Sequence, residues 1–140
     1  MSLQRTLSII KPDAVGRNIT GSINARFEQE GLRITAQKMM FLCRSQVEKF
    51  YEIHRDKAFY DSLCEYMSSG PVVVQVLSGE DAVARNRRIM GATNPANAEI
   101  GTIRRDFGQN VEQNAVHGSD SVENAEKEIA FFFSKLELMP

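Results

Sequence analysis

The run Val72, Val73, Val74, Gln75, Val76, Leu77 constrains the fold most. It is rich in β-branched residues, apolar at both parities and preceded by Gly70-Pro71, so it reads as a strand buried on both faces and therefore central in a sheet. Thr6 to Ile10 reads as a β-branched, apolar strand, ended by Pro12, with Lys11 in phase with Leu7 and Ile9 and so emerging from the strand end. Between Gly21 and Glu30 the residues Ile23 and Phe27 recur at helical spacing, Gly31 reads as a C-cap, and Leu32 to Leu42 reads as the next strand. Ser45 to Glu48 has the form of a capping box, after which Val47, Phe50, Tyr51 and His54 follow at helical spacing as a mostly core stripe. A short helix carries Phe59, Leu63, Tyr66 and Met67 in the same rhythm. Beyond the central run, Glu80 and Asp81 open a helix whose end bears Arg85, Arg87 and Arg88, in keeping with the helix dipole. Its phase with Val83 and Met90 sets Arg87 toward the buried side, where a guanidinium needs an anion or a carboxylate.

A long connection rich in glycine, asparagine and proline follows Met90, with only Thr102 to Phe107 briefly helical. Long connections in compact domains usually serve a function. This one carries Thr93 and Arg104 and leads to Asn114, Ala115, Val116, His117, Gly118, Ser119, Asp120. Asp120 and Glu123 resemble a capping box, and Val122, Ala125, Ile129 and Phe132 give the last helix an apolar face. Glu128 falls on that face; a buried carboxylate needs a partner, and the His117 imidazole just before the helix is the candidate. The element order implies an α/β (α+β) chain with a split βαβ arrangement, an antiparallel sheet with helices on one face.

The 140 residues contain no linker and read as one domain spanning 1–140. Seventeen basic and eighteen acidic residues nearly cancel, so no global field draws the chain to nucleic acid or an anionic membrane, and any anion must be gripped locally. Cys43 and Cys64, far apart and without a CxxC, fit packed, reduced thiols of a cytoplasmic protein. The N-terminal apolar patch is too short for a signal segment, and no stretch is long enough to span a bilayer. Gly16 to Ser22 has the two glycines of a phosphate loop but a serine where that loop needs its lysine, so it reads as a turn before a helix.

His117 sits on a short apolar run that breaks at a glycine before a helix start. An unperturbed imidazole has a pKa of about 6.5, so near neutrality a ring nitrogen can attack without a separate base. On spacing alone a hydrogen-bonded, inert turn histidine is the commoner outcome. If the ring accepts a phosphoryl group, catalysis is mostly positioning plus cations around the phosphate oxygens. Lys11, Arg87 and Arg104, with Thr93 and Asn114, would make such a set, although each taken singly has an ordinary reading as a surface charge, helix cap or turn residue.

The stretch NAVHGSD, with TLSIIKPDAV at the front, SGPVVVQVL in the middle and MGATNP before GTIR, resembles nucleoside diphosphate kinase over nearly the whole chain. The resemblance implies a ferredoxin-like split βαβ sandwich with a four-stranded antiparallel sheet covered by helices. It implies ping-pong transfer of the γ-phosphate from a nucleoside triphosphate to a nucleoside diphosphate, ribo or deoxyribo, through a phosphohistidine on His117. Glu128 would orient the ring and Lys11 assist. Lys11, Arg87, Thr93, Arg104 and Asn114 would hold phosphates and ribose, and Phe59 would stack on the base with Val111 on its other side, which accounts for broad base tolerance. Tyr51 and Ser119 would support the site, and His54 would lie near the cleft rim without carrying phosphate. Magnesium would arrive on the nucleotide, with no protein metal site, no membrane and no sequence-specific nucleic acid as partner.

The sequence departs from the family pattern at Lys57-Ala58 before Phe59, at Glu99-Ile100 and at Arg105. The first implies a looser lip to the base pocket, and the others fall on a loop that family members use in assembly. The short tail after Phe133 resembles bacterial enzymes and implies a homo-oligomer, tetramer or hexamer. Two other readings differ in class. A phosphocarrier would need the histidine but no base-stacking aromatic, and a binding relative without turnover would lose His117 or gain a basic face.

Overall fold

The computed structural model describes residues 3–139. Leu3–Ile10 (β1), Arg33–Met40 (β2), Val72–Glu80 (β3) and Val116–Gly118 (β4) form one sheet in the order β2-β3-β1-β4, with every neighbouring pair antiparallel. Among the described residues seven α-helices accompany it: Pro12–Gly16 (α1), Thr20–Gln29 (α2), Arg44–Phe50 (α3), Tyr60–Met67 (α4), Ala82–Met90 (α5), Ile103–Phe107 (α6) and Val122–Phe132 (α7). This is the four-stranded, ferredoxin-like α+β arrangement that the resemblance implies.

The sheet carries a core on each face. Leu7, Ile9, Val72, Val74 and Val76 pack with side chains of α3, α4 and α7, while Ile10, Val73 and Leu77 pack with those of α1, α2, α5 and α6. Helices therefore cover both faces, not one. The physical reason lies in the run from Val72 to Leu77 itself: with apolar side chains at both parities, either face left uncovered would expose valines to water. Gln75, the polar break in that run, is fully buried. It accepts from Gln37 Nε2 at 2.8 Å and donates to Asn24 Oδ1 at 2.8 Å, so the amide is satisfied across the sheet and by α2.

Several local expectations shift. Pro12 ends β1 but also opens α1, as suits a residue with no N–H to lose at a helix start. The stretch from Gly16 to Ser22 is only partly a turn, because α2 already begins at Thr20. At α3 the cap is Cys43, whose N–H donates to Gln46 Oε1 at 2.9 Å, so the helix starts ahead of Ser45. At α7 the cap is Ser121, which accepts from Asn124 N at 3.0 Å, while the Asp120 carboxylate accepts from Asn124 Nδ2 at 2.6 Å. Short polar side chains compete for the same orphan N–H groups at a helix start, and which one wins depends on where the chain turns. Val122 is half exposed, so the buried face of α7 is Ala125, Ile129 and Phe132. Cys64 packs in the core as expected, whereas Cys43 is exposed.

β4 is three residues long and pairs only with β1, with His117 opposite Ile9 and Gly118 opposite Ser8. α5 lies hard against it. A Cβ on Gly118 would sit 2.4 Å from Asn86 Nδ2 and 2.7 Å from Met90 Cε. Gly118→Ala is therefore expected to destabilise the protein by roughly 1–3 kcal/mol through overpacking, read as a lower denaturant midpoint; an unchanged midpoint would mean that α5 moves aside freely.

Candidate functional site

The site is built where β1 ends. Ser119 N donates to Leu7 O at 3.2 Å and Leu7 N donates to Ser119 Oγ at 3.2 Å, which fastens the residue after β4 to the central strand. With its acceptor side used by Leu7, the Ser119 hydroxyl donates to Glu128 Oε1 at 2.8 Å. The same oxygen lies 2.9 Å from His117 Nε2. An ionised carboxylate only accepts, so this network assigns the ring proton to Nε2 and leaves Nδ1 with a free lone pair. Phe50 and Tyr51 meet the imidazole edge-on, with centroids at 5.5 and 5.9 Å, and hold its plane. Burial, then the Glu128 charge, pushes the Tyr51 phenol well above its ordinary pKa, so it stays protonated.

The chain reaches His117 through a strained turn. Ala115 has φ 76°, and Val116 N donates to Asn114 O at 2.9 Å across it. A non-glycine residue in that conformation costs on the order of 1–3 kcal/mol and persists only where its surroundings hold it. Here Lys11 N donates to Ala115 O at 2.9 Å, and the buried Asn114 side chain accepts from Lys11 Nζ at 2.9 Å and donates to Thr93 O at 3.0 Å. Asn114 thus joins the end of β1 to the long connection after α5. Thr93 enters this junction through its carbonyl, and the residue itself is exposed.

Three cations lie on the elements next to the histidine, with Arg104 close enough to Lys11 and Arg87 for their charges to interact. Lys11 is buried, and its ammonium also donates to Glu112 O at 3.3 Å. Burial, reinforced by the nearby Arg104 charge, lowers its pKa to about 8. The Arg104 guanidinium donates to Gly91 O at 3.1 Å and to Val116 O at 2.9 Å, the latter on the residue before His117. Burial, then the Arg87 charge, lowers its pKa to about 10. Arg87 is exposed, contrary to its expected place on the buried side of α5; that side is taken by Asn86. Val83 and Met90 are buried as the spacing implies, but the position between them on that face is Asn86, which lies over Gly118, and Arg87 is left to line an open cleft of about 550 Å³ with Thr93 and Arg104. Among the described residues none of the three cations is paired with a carboxylate. Unpaired cations in a part-buried cleft are costly unless an anion joins them.

The apolar members lie farther out. Tyr51, His54 and Phe59 form an aromatic chain leading away from His117, with centroids at 6.3 Å between the first two and 5.6 Å between the last two. Phe59, at the N-cap of α4, is half exposed, which rules out ordinary core packing, and Val111 is equally open. Neither is joined to the imidazole by direct contact. Sequence reasoning missed Asp13, whose N–H donates to the Tyr66 hydroxyl at 2.9 Å while that hydroxyl donates back to its carboxylate. The pair binds α1 to α4 and so braces Lys11; the signal was Pro-Asp at a helix start, directly after the lysine. Phe50, read only as core, is the other omission.

Comparison with known proteins agrees with this geometry. The family model described as nucleoside diphosphate kinase matches residues 4–138. A nucleoside diphosphate kinase of Rhodospirillum centenum is 64% identical over 99% of both chains, and one of Wolbachia pipientis is 62% identical over 99% of this chain and 100% of its own. Among solved structures, the nucleoside diphosphate kinase of Aquifex aeolicus is 45% identical, with a TM-score of 0.96 over 99% of this chain and 100% of that one. The enzyme of Halobacterium salinarum in complex with CDP is 39% identical, with a TM-score of 0.94 over 99% of this chain and 93% of that one.

The depressed Lys11 pKa has a consequence for stability. Its folded value of about 8 lies below the 10.5 of an unperturbed lysine. Between those values the unfolded chain binds more protons, so the Lys11 contribution to stability rises with pH. Measured as unfolding free energy, the wild type is expected to gain on Lys11→Met by on the order of 2–3 kcal/mol as pH rises from about 8 to above 10. A difference that stays flat across that window would mean that the ammonium is not desolvated.

Proposed function

Because the chain belongs to the nucleoside diphosphate kinase family, in which a phosphohistidine relays the γ-phosphate of a nucleoside triphosphate to a nucleoside diphosphate, we propose that His117 is the relay. The reading rests on one observation above all: His117, whose Nδ1 is free, follows the residue whose carbonyl Arg104 grips and lies on the strand paired with the one that ends in Lys11, and neither cation forms an ion pair with a carboxylate among the described residues. In the first half-reaction the Nδ1 lone pair attacks the γ-phosphorus, the bond from phosphorus to the bridging oxygen breaks, and the nucleoside diphosphate leaves with that oxygen's electron pair. The Nε2 proton stays on the ring, where Glu128 stabilises the positive charge that develops, and Ser119 holds the carboxylate in place. In the second half-reaction a terminal oxygen of another diphosphate attacks the phosphorus and the P–Nδ1 bond breaks, which restores the neutral ring.

Lys11, Arg87 and Arg104 would neutralise the phosphate oxygens, with Thr93 and Asn114 orienting phosphates and ribose. Phe59 and Val111 would sandwich the base without reading its hydrogen-bonding edge, so that ribo- and deoxyribonucleotides of any base are accepted. Magnesium would come bound to the phosphates. Among the described residues no group of three or more histidine, cysteine, aspartate or glutamate side chains is placed to hold a metal ion. We take the protein to act as one domain over 1–140, in the cytoplasm, and as a homo-oligomer of four or six copies. The exposed Ile100 next to Glu99, and Arg105 on the same connection, suit a contact between copies. Among the described residues no helix is long and apolar enough to cross a membrane.

Intact mass after mixing with GTP and magnesium is expected to show one added phosphoryl group that disappears on adding CDP as CTP forms. An adduct that survives CDP would favour a phosphocarrier, and no adduct on folded protein would favour binding without turnover. His117→Ala is expected to abolish exchange while leaving the fold intact, and sustained turnover in that variant would overturn the assignment. Arg104→Ala is expected to lower kcat/KM by a factor on the order of ten to a thousand. For the wild type, kcat/KM is expected to fall as pH rises through about 8, where Lys11 loses its charge in the free enzyme.

A further inference from the structure

One hydrogen bond joins the two elements that carry the exposed apolar side chains of the site. Phe59 caps α4, and Ser62 stands one turn further along on the same face. Val111 belongs to the loop before β4, and Glu112 follows it. The Ser62 hydroxyl donates to Glu112 Oε1 at 3.2 Å across the gap. The loop is otherwise held from within: Asn110 Oδ1 accepts from Glu112 N at 3.0 Å and from Gln113 N at 2.8 Å, and Gln109 N donates to Gln113 O at 2.8 Å. Its backbone also takes part in the phosphate side of the site, since Glu112 O accepts from Lys11 Nζ at 3.3 Å. Glu112 therefore touches both halves: its side chain holds the helix behind Phe59, and its carbonyl holds the buried ammonium.

We propose that Ser62 and Glu112 form a latch that sets the width of the base slot and keeps it in register with Lys11, so that the pair are positioning residues for the base end of the nucleotide. The inference rests on the reading of Phe59 and Val111 as the two walls of that slot. Stacking is strong only when both apolar faces lie at van der Waals distance from the ring, because dispersion falls steeply with a gap of even half an ångström. Two walls on separate elements, both largely open to solvent, keep that distance only if something spans them. The latch is the one hydrogen bond between α4 and this loop among the described residues, and it ends on a charged acceptor, which makes it stronger than a neutral pair.

The test compares calorimetric binding of ADP with that of ribose 5-diphosphate, which has the same phosphates and sugar but no base. Ser62→Ala is expected to weaken ADP about threefold, the size of a solvent-exposed hydrogen bond to a charged group, and to leave ribose 5-diphosphate unchanged. Ser62→Thr, which keeps the hydroxyl, is expected to bind ADP as the wild type does. Equal weakening of both ligands, or no weakening of ADP, would overturn the latch. Phe59→Ala separates the two readings. If it weakens ADP at least tenfold and spares ribose 5-diphosphate while Ser62→Ala has no effect, the slot stands and the latch falls. If Phe59→Ala leaves ADP binding unchanged, slot and latch fall together.

Discussion

The antiparallel pairing of β1 with β3, buried on both faces from Thr6 to Ile10 and from Val73 to Leu77, is the constraint on which the rest depends. Because neither strand has a solvent face, each side of the sheet must be roofed by helices, and the chemistry is confined to the strand ends. β1 ends in Lys11. β4, too short to stand alone, is held by three register pairs to β1 and by the exchange of hydrogen bonds between Leu7 and Ser119. The same strand thus delivers the ammonium from its own end and the imidazole from its neighbour. The distance between them is set by backbone pairing, not by flexible side chains, as efficient positioning requires.

A second theme is deliberate electrostatic discomfort. Lys11 and Arg104 both lose proton affinity through burial and repulsion by a neighbouring cation; Asp13 and Glu112 offset this only in part at Lys11, and neither cation forms an ion pair with a carboxylate among the described residues. The one carboxylate close to the histidine, Glu128, is turned to Nε2 and held there by Ser119. Negative charge is therefore held at Nε2, away from the nitrogen whose lone pair is free. Buried cations without ion-pair partners are destabilising in the free protein, and under the proposed function a polyphosphate would offset that cost on binding. The strained turn at Ala115 belongs to the same pattern: it is held by Lys11 N and flanked by the buried Asn114.

The aromatic groups divide by depth. Phe50 and Tyr51 stand against the imidazole and fix its plane, whereas Phe59, two aromatic contacts further out, faces solvent. One stripe of residues on α3 and the turn after it therefore runs from core to cleft rim. Periodicity registers only that such residues share a face, not where along that face the protein surface is crossed. That is why Phe50 read as plain core and Phe59 could have been core as well.

Much of the architecture was legible in order and pattern alone. The two-sided apolar run marked the central strand, Pro12 marked the end of β1, and the phase of Glu128 on the last helix pointed to His117 as its partner, because a carboxylate among apolar residues must be matched. The cations were legible as residue types, and the resemblance to a family grouped them. The tertiary structure alone decided how they are used. Arg87 faces the cleft because Asn86 fits over Gly118, a contact between residues 32 positions apart that no helical wheel contains. The caps of α3 and α7 moved by a residue or two because neighbouring polar side chains compete for the same N–H groups, and only the path of the chain settles the competition. Which imidazole nitrogen is free, and how far the buried lysine departs from its ordinary pKa, are properties of distances between segments remote in sequence. Local composition sets which charges exist; the packed sheet sets how little water surrounds them, and that fixes what they can do.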